Sequence, residues 1–167
     1  LVNVNINIQA LGAARVGSIV GYTQQSNITN SQVIGNSNIT ITSAHQVDAG
    51  GIIGFIVNNS VNYLYQNLIS FADISVIQNG SNSAVNVGGI AATNGYIQNA
   101  INYGSINVNS SYNSQLLRVG GIVGYRGYSN QVLNEGDIQV TGNKVIVGGI
   151  ISIQDFTTDS FISNAIN

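Results

Sequence analysis

Apolar and polar residues alternate in short bursts along this chain, and the bursts recur. Taking the isoleucine or valine that opens each burst as a zero, Ile39, Ile74, Ile106 and Ile138 align, with Ile41, Val76, Val108 and Val140 two residues later. Five residues earlier stand Ile34, Ile69, Ile101 and Leu133, and six earlier Val33, Leu68, Ala100 and Val132. Two residues before the zero the side chain is small: Ser37, Ala72, Gly104 or Gly136. Seven before it stands an amide, giving a predicted column of Gln32, Asn67, Asn99 and Gln131 that Asn164 extends. Alternation with a period of two is the mark of a strand with one buried face. The β-branched bias agrees, and no 3.6-residue period competes with it.

A glycine block punctuates the same cycle. It reads Val119-Gly120-Gly121-Ile122-Val123-Gly124 in its fullest form, and variants begin at Val16, Ala49, Val87 and Val147. The first glycines, Gly17, Gly50, Gly88, Gly120 and Gly148, lie 33, 38, 32 and 28 residues apart. Periods of this size mean stacked units that cannot bury an apolar face alone. Each unit offers three short extended pieces: the glycine block, the amide with its apolar pair, and the isoleucine strand. A propeller blade needs about four strands and ~40 residues, more than these units hold. The expected fold is an all-β, parallel β-helix (solenoid) of about five three-strand coils, right-handed by the usual crossover rule. One domain then covers 1–167, with repeats near 16–48, 49–86, 87–118 and 119–146, and a fifth, 147–167, completed by 1–15 of a neighbouring copy. The glycines have two possible causes, a positive φ at a corner or lack of room for a Cβ. Tyr22, Phe55 and Tyr125 follow the block at one offset, which predicts a partial aromatic stack.

The block resembles the GLUG motif (Gly-Leu-any-Gly) of repeat regions in surface proteins and adhesins. Gly121-Ile122-Val123-Gly124 and Gly51-Ile52-Ile53-Gly54 carry the likeness, with Ile for Leu. Asn134-Glu135-Gly136-Asp137-Ile138 and Asn102-Tyr103-Gly104-Ser105-Ile106 are similar to that family's Asn-x-Gly-x-Ile element. The resemblance implies an extracellular β-helical stalk or adhesive region and brings no catalytic residues with it.

Composition narrows the function. Hydrophobic residues make up 44 % but charged residues only 6 %, and polarity rests on amides and hydroxyls, with 25 Asn. Arg15, Arg118, Arg126 and Lys144 are scattered and the net charge is −2, so no nucleic-acid partner is expected. No apolar run approaches the ~18 residues of a membrane span. Cys, Met, Trp and Pro are absent, which removes disulfides and thiolate metal sites and leaves every backbone N–H available to a ladder. Five sequons mark Asn27, Asn38, Asn58, Asn79 and Asn109 as glycosylation candidates on a secreted or cell-surface product.

The remaining chemistry points away from an enzyme or a cofactor. Glu135 and Asp137 share a strand face, as paired carboxylates of glycoside hydrolases can, but Asp137 fills a slot that is Ser105 or Asp73 elsewhere and reads as solvated surface. Asp155 and Asp159 are two acids where calcium takes 6–8 oxygens. His45 is the single histidine, so no Ser/His/Asp arrangement forms. The threonines do not recur by unit, as a flat ice-binding array would require.

The two ends are complementary as sequences. Ile162-Ser163-Asn164-Ala165-Ile166-Asn167 copies Ile97-Gln98-Asn99-Ala100-Ile101-Asn102 and lacks a following strand, while Val2, Val4, Ile6 and Ile8 form an alternating strand with nothing before it. Five residues past Ile166, counted into a second copy, falls Val4 at the zero position and then Ile6. The expected subunit junction is therefore Val2, Val4, Ile6 and Ile8 against Ile162, Asn164, Ala165 and Ile166. The reading is a structural protein that polymerises head to tail with itself, with N-glycan on its outside. The alternatives are an adhesin repeat region binding carbohydrate or a cell surface, and a segment of a longer array, whose register any whole-repeat cut preserves.

Overall fold

A computed structural model describes residues 1–57, 63–80, 83–111, 116–153 and 162–167. It is all-β among these residues, and every strand pairing is parallel. Three sheets run the length of the molecule. The first stacks Asn5–Ala10, Asn38–Ser43, Asp73–Gln78, Ile106–Ser110 and Ile138–Thr141. The second stacks Ala14–Gly17, Val47–Gly50, Val85–Gly88, Leu116–Gly120 and Lys144–Gly148. In the third, Val20–Gln24 and Ile28–Val33 lie over Ile53–Val57 and Tyr65–Ser70, followed by Ala91–Asn102, Val123–Asn134 and Ile162–Ile166. Each rung takes one strand from the first sheet, one from the second, and either one strand or two shorter ones from the third. The parallel β-solenoid expected from the repeat is present, winding about four turns rather than five, because five stacked strands make only four rung-to-rung steps.

Like residues lie above one another, and this makes the core. The isoleucine strand gives the columns Ile6–Ile39–Ile74–Ile106–Ile138 and Ile8–Ile41–Val76–Val108–Val140. The second sheet adds Val16–Ala49–Val87–Val119–Val147. Members on inner rungs are fully buried, each contributing about 1.5–3 kcal/mol of transfer free energy. At the corner between the second and third sheets, Ile19, Ile52, Ile90 and Ile122 each donate a backbone N–H to the carbonyl of the next isoleucine, ending at Ile150.

The glycine blocks are there for room. A Cβ on Gly50, Gly88 or Gly120 would lie closer than 3.0 Å to backbone carbonyls of its own turn and of the next rung. The second glycines, Gly89, Gly121 and Gly149, leave space for the side chains of Asn102, Asn134 and Asn167. Gly35, at φ +74°, is the single positive-φ glycine among the described residues, so the corner explanation fails for the blocks.

Left-handed turns fall instead to the amides. Asn30, Asn67, Asn99, Gln131 and Asn164 have φ between 48° and 57°, a region that Asn tolerates better than most residues. This corrects the predicted amide column at its first member: Asn30, not Gln32, stands over Asn67, since Ser31 pairs with Leu68 and Gln32 with Ile69. The first rung has two extra residues between this column and the isoleucine strand. They form a turn at Gly35, held by Ser37 N–H to the Gly35 carbonyl (2.9 Å) and Ser37 Oγ to the Ile34 carbonyl (2.9 Å). Val33 and Ile34 shift with it, and Val33 pairs with Ser70.

The N-terminal strand is likewise two residues from its predicted register. Ile6, not Val4, occupies the zero column over Ile39. Val4 lies beside Ser37, whose Oγ accepts the Val4 N–H at 3.0 Å. A shift of two keeps the same residues facing inward.

Candidate functional site

Two features stand out from the repeating frame: an amide-lined groove on the outer surface, and the two end rungs. The groove follows the left-handed column. It encloses about 470 Å³ and is lined by Asn30, Asn67, Asn99 and Gln131, with Gln32, Ile69 and Ile101 beside them. The column residues are exposed, while Ile69 and Ile101 are half-buried. Asn67 Nδ2 donates to Asn30 Oδ1 at 2.8 Å, and Asn99 Nδ2 to Asn67 Oδ1 at 3.3 Å. At the last rung Asn164 Nδ2 reaches Asn130 Oδ1 at 3.3 Å. Among the described residues, no charged side chain lines the groove. Phe71 and Tyr103 stand two positions beyond Ile69 and Ile101 and stack on each other, centroids 4.4 Å apart.

A second, buried amide ladder escaped the reading of the chain. Asn102 Nδ2 donates to Asn134 Oδ1 (2.9 Å) and to the Gly104 carbonyl (2.8 Å). Asn134 Nδ2 repeats this to Asn167 Oδ1 (2.9 Å) and the Gly136 carbonyl (3.0 Å). The Asn-x-Gly-x-Ile element is thereby explained: the Asn ties rung to rung, the Gly admits the carbonyl of the rung above, and the Ile enters the core. Asn stands four residues before the zero in only two units, with Ser70 and Gly35 in the others, so the sequence marks no column there.

The outer side of the second sheet carries a polar column, Arg15–Asp48–Asn86–Arg118. Asp48 is fully buried and accepts from Asn86 Nδ2 (2.7 Å) and Gln46 Nε2 (2.9 Å), with Arg15 Nε at 3.8 Å. Desolvation pushes its carboxyl above the usual range, against the opposing pull of these hydrogen bonds and of Arg15 and Arg118. The Arg15 guanidinium lies 4.3 Å over the Phe55 ring and 5.2 Å over Tyr22, and Arg118 lies 4.2 Å over Tyr125. Tyr22 and Phe55 stack with centroids 5.9 Å apart, so the aromatic column is real between the first two rungs; Thr93 interrupts it.

The other predicted residues are placed as follows. Asn27, Asn38, Asn79 and Asn109 are exposed, although Asn27 Oδ1 already accepts the Leu64 N–H at 2.8 Å; Asn58 lies outside the described residues. Glu135, Asp137 and His45 are exposed, and Asp155 and Asp159 lie outside the described residues. No group of three metal-ligating side chains occurs among the described residues. No helix among them is long and apolar enough to cross a membrane.

At the ends, core columns emerge. Val145 and Val147 are 37 % and 48 % exposed, whereas their partners on the rung above, Leu117 and Val119, are fully buried. Ile138, Val140 and Ala165 are half-buried, and Ile162 and Ile166 exposed. At the opposite end Val2 is exposed, Val4, Ile6 and Ile8 are half-buried, and Val2 bridges to Ile34. The chain matches no protein-family model, no curated protein and no solved structure. The GLUG likeness accordingly rests on motif residues alone.

Proposed function

We propose that this chain is the structural subunit of an extracellular filament that grows by stacking the last rung of one copy on the first rung of the next. The observation that carries the reading is the match between the two end rungs. Continuing each column past the last rung sets Ile138 against Ile6, Val140 against Ile8, Val145 against Ala14, Val147 against Val16 and Asn164 against Asn30, apolar with apolar and amide with amide. Stacking of this kind covers strand edges that otherwise invite uncontrolled pairing, and a contact between unlike ends does not close, so it propagates. The exposed sequon asparagines suit an N-glycan coat on the outer faces.

Electron microscopy of the purified chain tests the reading. Five rungs at about 4.8 Å each give a filament with an axial repeat of about 24 Å. Isolated monomers under all assembly conditions, or fibres with an unrelated repeat, refute it.

A further inference from the structure

We propose that the outer amide groove binds a linear, neutral polysaccharide lying parallel to the solenoid axis, with one sugar ring per rung. This does not rest on end-to-end stacking; the groove lies within a single copy. It crosses four rungs, from Asn30 and Gln32 on the first to Gln131 on the fourth, a length of about 14 Å. Its volume of about 470 Å³ over that length leaves the width of a single polymer chain.

Hydrogen-bonding capacity selects the ligand. An Asn side chain offers two donor hydrogens and two acceptor lone pairs. Within the column, Asn67 uses one donor toward Asn30 and one acceptor toward Asn99. Asn67 thereby keeps one donor and one acceptor unused by the column, on an exposed side chain, and a sugar hydroxyl needs such a pair. The ladder and the left-handed backbone hold the amides in place before binding, so little side-chain freedom is lost on contact. Ile69 and Ile101 supply apolar surface for the C–H faces of the rings; the Phe71–Tyr103 stack lies two residues further along the chain, outside the lining.

Charge and spacing exclude the competitors. With no cation among the described lining residues, a phosphate or uronate chain finds no opposite charge there. An extended peptide repeats its side chains on one face every two residues, about 6.7 Å, out of step with rungs about 4.8 Å apart. An extended β-1,4-linked pyranose chain advances by about one rung per ring and stays nearly in step across four rungs.

The test is calorimetric titration of the full chain with cellohexaose and with chitohexaose, using oligogalacturonate as the anionic comparator. At least one neutral hexasaccharide should bind, with affinity insensitive to salt. The double variant Asn67→Gly, Asn99→Gly keeps the positive φ and removes both amides, and should bind about tenfold more weakly. If that variant does not fold, the side-chain amide resonances of Asn67 and Asn99 in the wild-type chain decide instead, and they should move on addition of sugar. The proposal is overturned if neither neutral sugar binds at millimolar concentration, or if the comparator binds more tightly. Wild-type affinity in the folded variant, or unmoved Asn67 and Asn99 resonances while sugar binds, also overturns it. All of these readouts are independent of filament formation.

Discussion

At the scale of single residues, the molecule is governed by what fits between rungs. Gly121 faces the Gly149 carbonyl and the Asn134 side chain, so Gly121→Ala forces backbone or ladder to move. We expect a loss of about 1–3 kcal/mol in chemical denaturation. Gly12, with nothing within 4 Å of its would-be Cβ, should tolerate alanine to within about 0.5 kcal/mol. Asp48 makes a different prediction, through pH. Its folded pKa is raised above the unfolded value of 3.8, so the folded state holds the proton more tightly. The resulting stabilisation is complete below 3.8 and is lost as pH rises through the raised folded value. Asp48→Ala leaves Asn86 and Gln46 without their acceptor and should destabilise at every pH. The gap between wild type and variant, followed by urea denaturation, should be wider in acid than at pH 7; a gap widening toward neutrality would contradict the burial argument.

At the scale of elements, each strand is short and contributes little alone, and stability comes from columns that cross rungs. The isoleucine strand Ile106–Ser110 sits between two neighbours, and Ile106 is almost completely buried. Ile106→Ala should cost about 2–5 kcal/mol by thermal or chemical unfolding, more than the same change at end-rung Ile138, which is only half-buried. The two amide ladders divide the polar work. The inner one, Asn102–Asn134–Asn167, bonds across rungs and to glycine carbonyls; the outer one keeps donors and acceptors toward solvent. The bends that create the outer ladder also make the groove, because the chain turns left-handed there while its neighbours remain extended.

At the scale of the whole molecule, the solenoid has two unlike ends and a nearly neutral surface. Val147→Lys places a charge where a following copy would press Val16. It should abolish filaments while changing the melting temperature little, since Val147 is already half exposed. Filaments that persist in this variant would show that growth does not use the rung-to-rung face.

What the amino-acid order determined by itself was everything periodic. Alternation at Ile39, Ile74, Ile106 and Ile138 specifies strands, the recurrence of Gly-Gly-Ile specifies a stack, and lack of charge limits the partners. Those properties are local or repeat, so counting along the chain recovers them. The tertiary structure alone decided register where the count is broken. The two extra residues at Gly35 hand the amide column to Asn30 instead of Gln32, and the N-terminal strand settles with Ile6 over Ile39. It also decided that the block glycines serve close approach, and that Asn102 and Asn134 turn inward while Asn67 and Asn99 turn out. These outcomes depend on which backbone lies one rung away, and neighbours some 30 residues distant in sequence leave no trace in the local pattern.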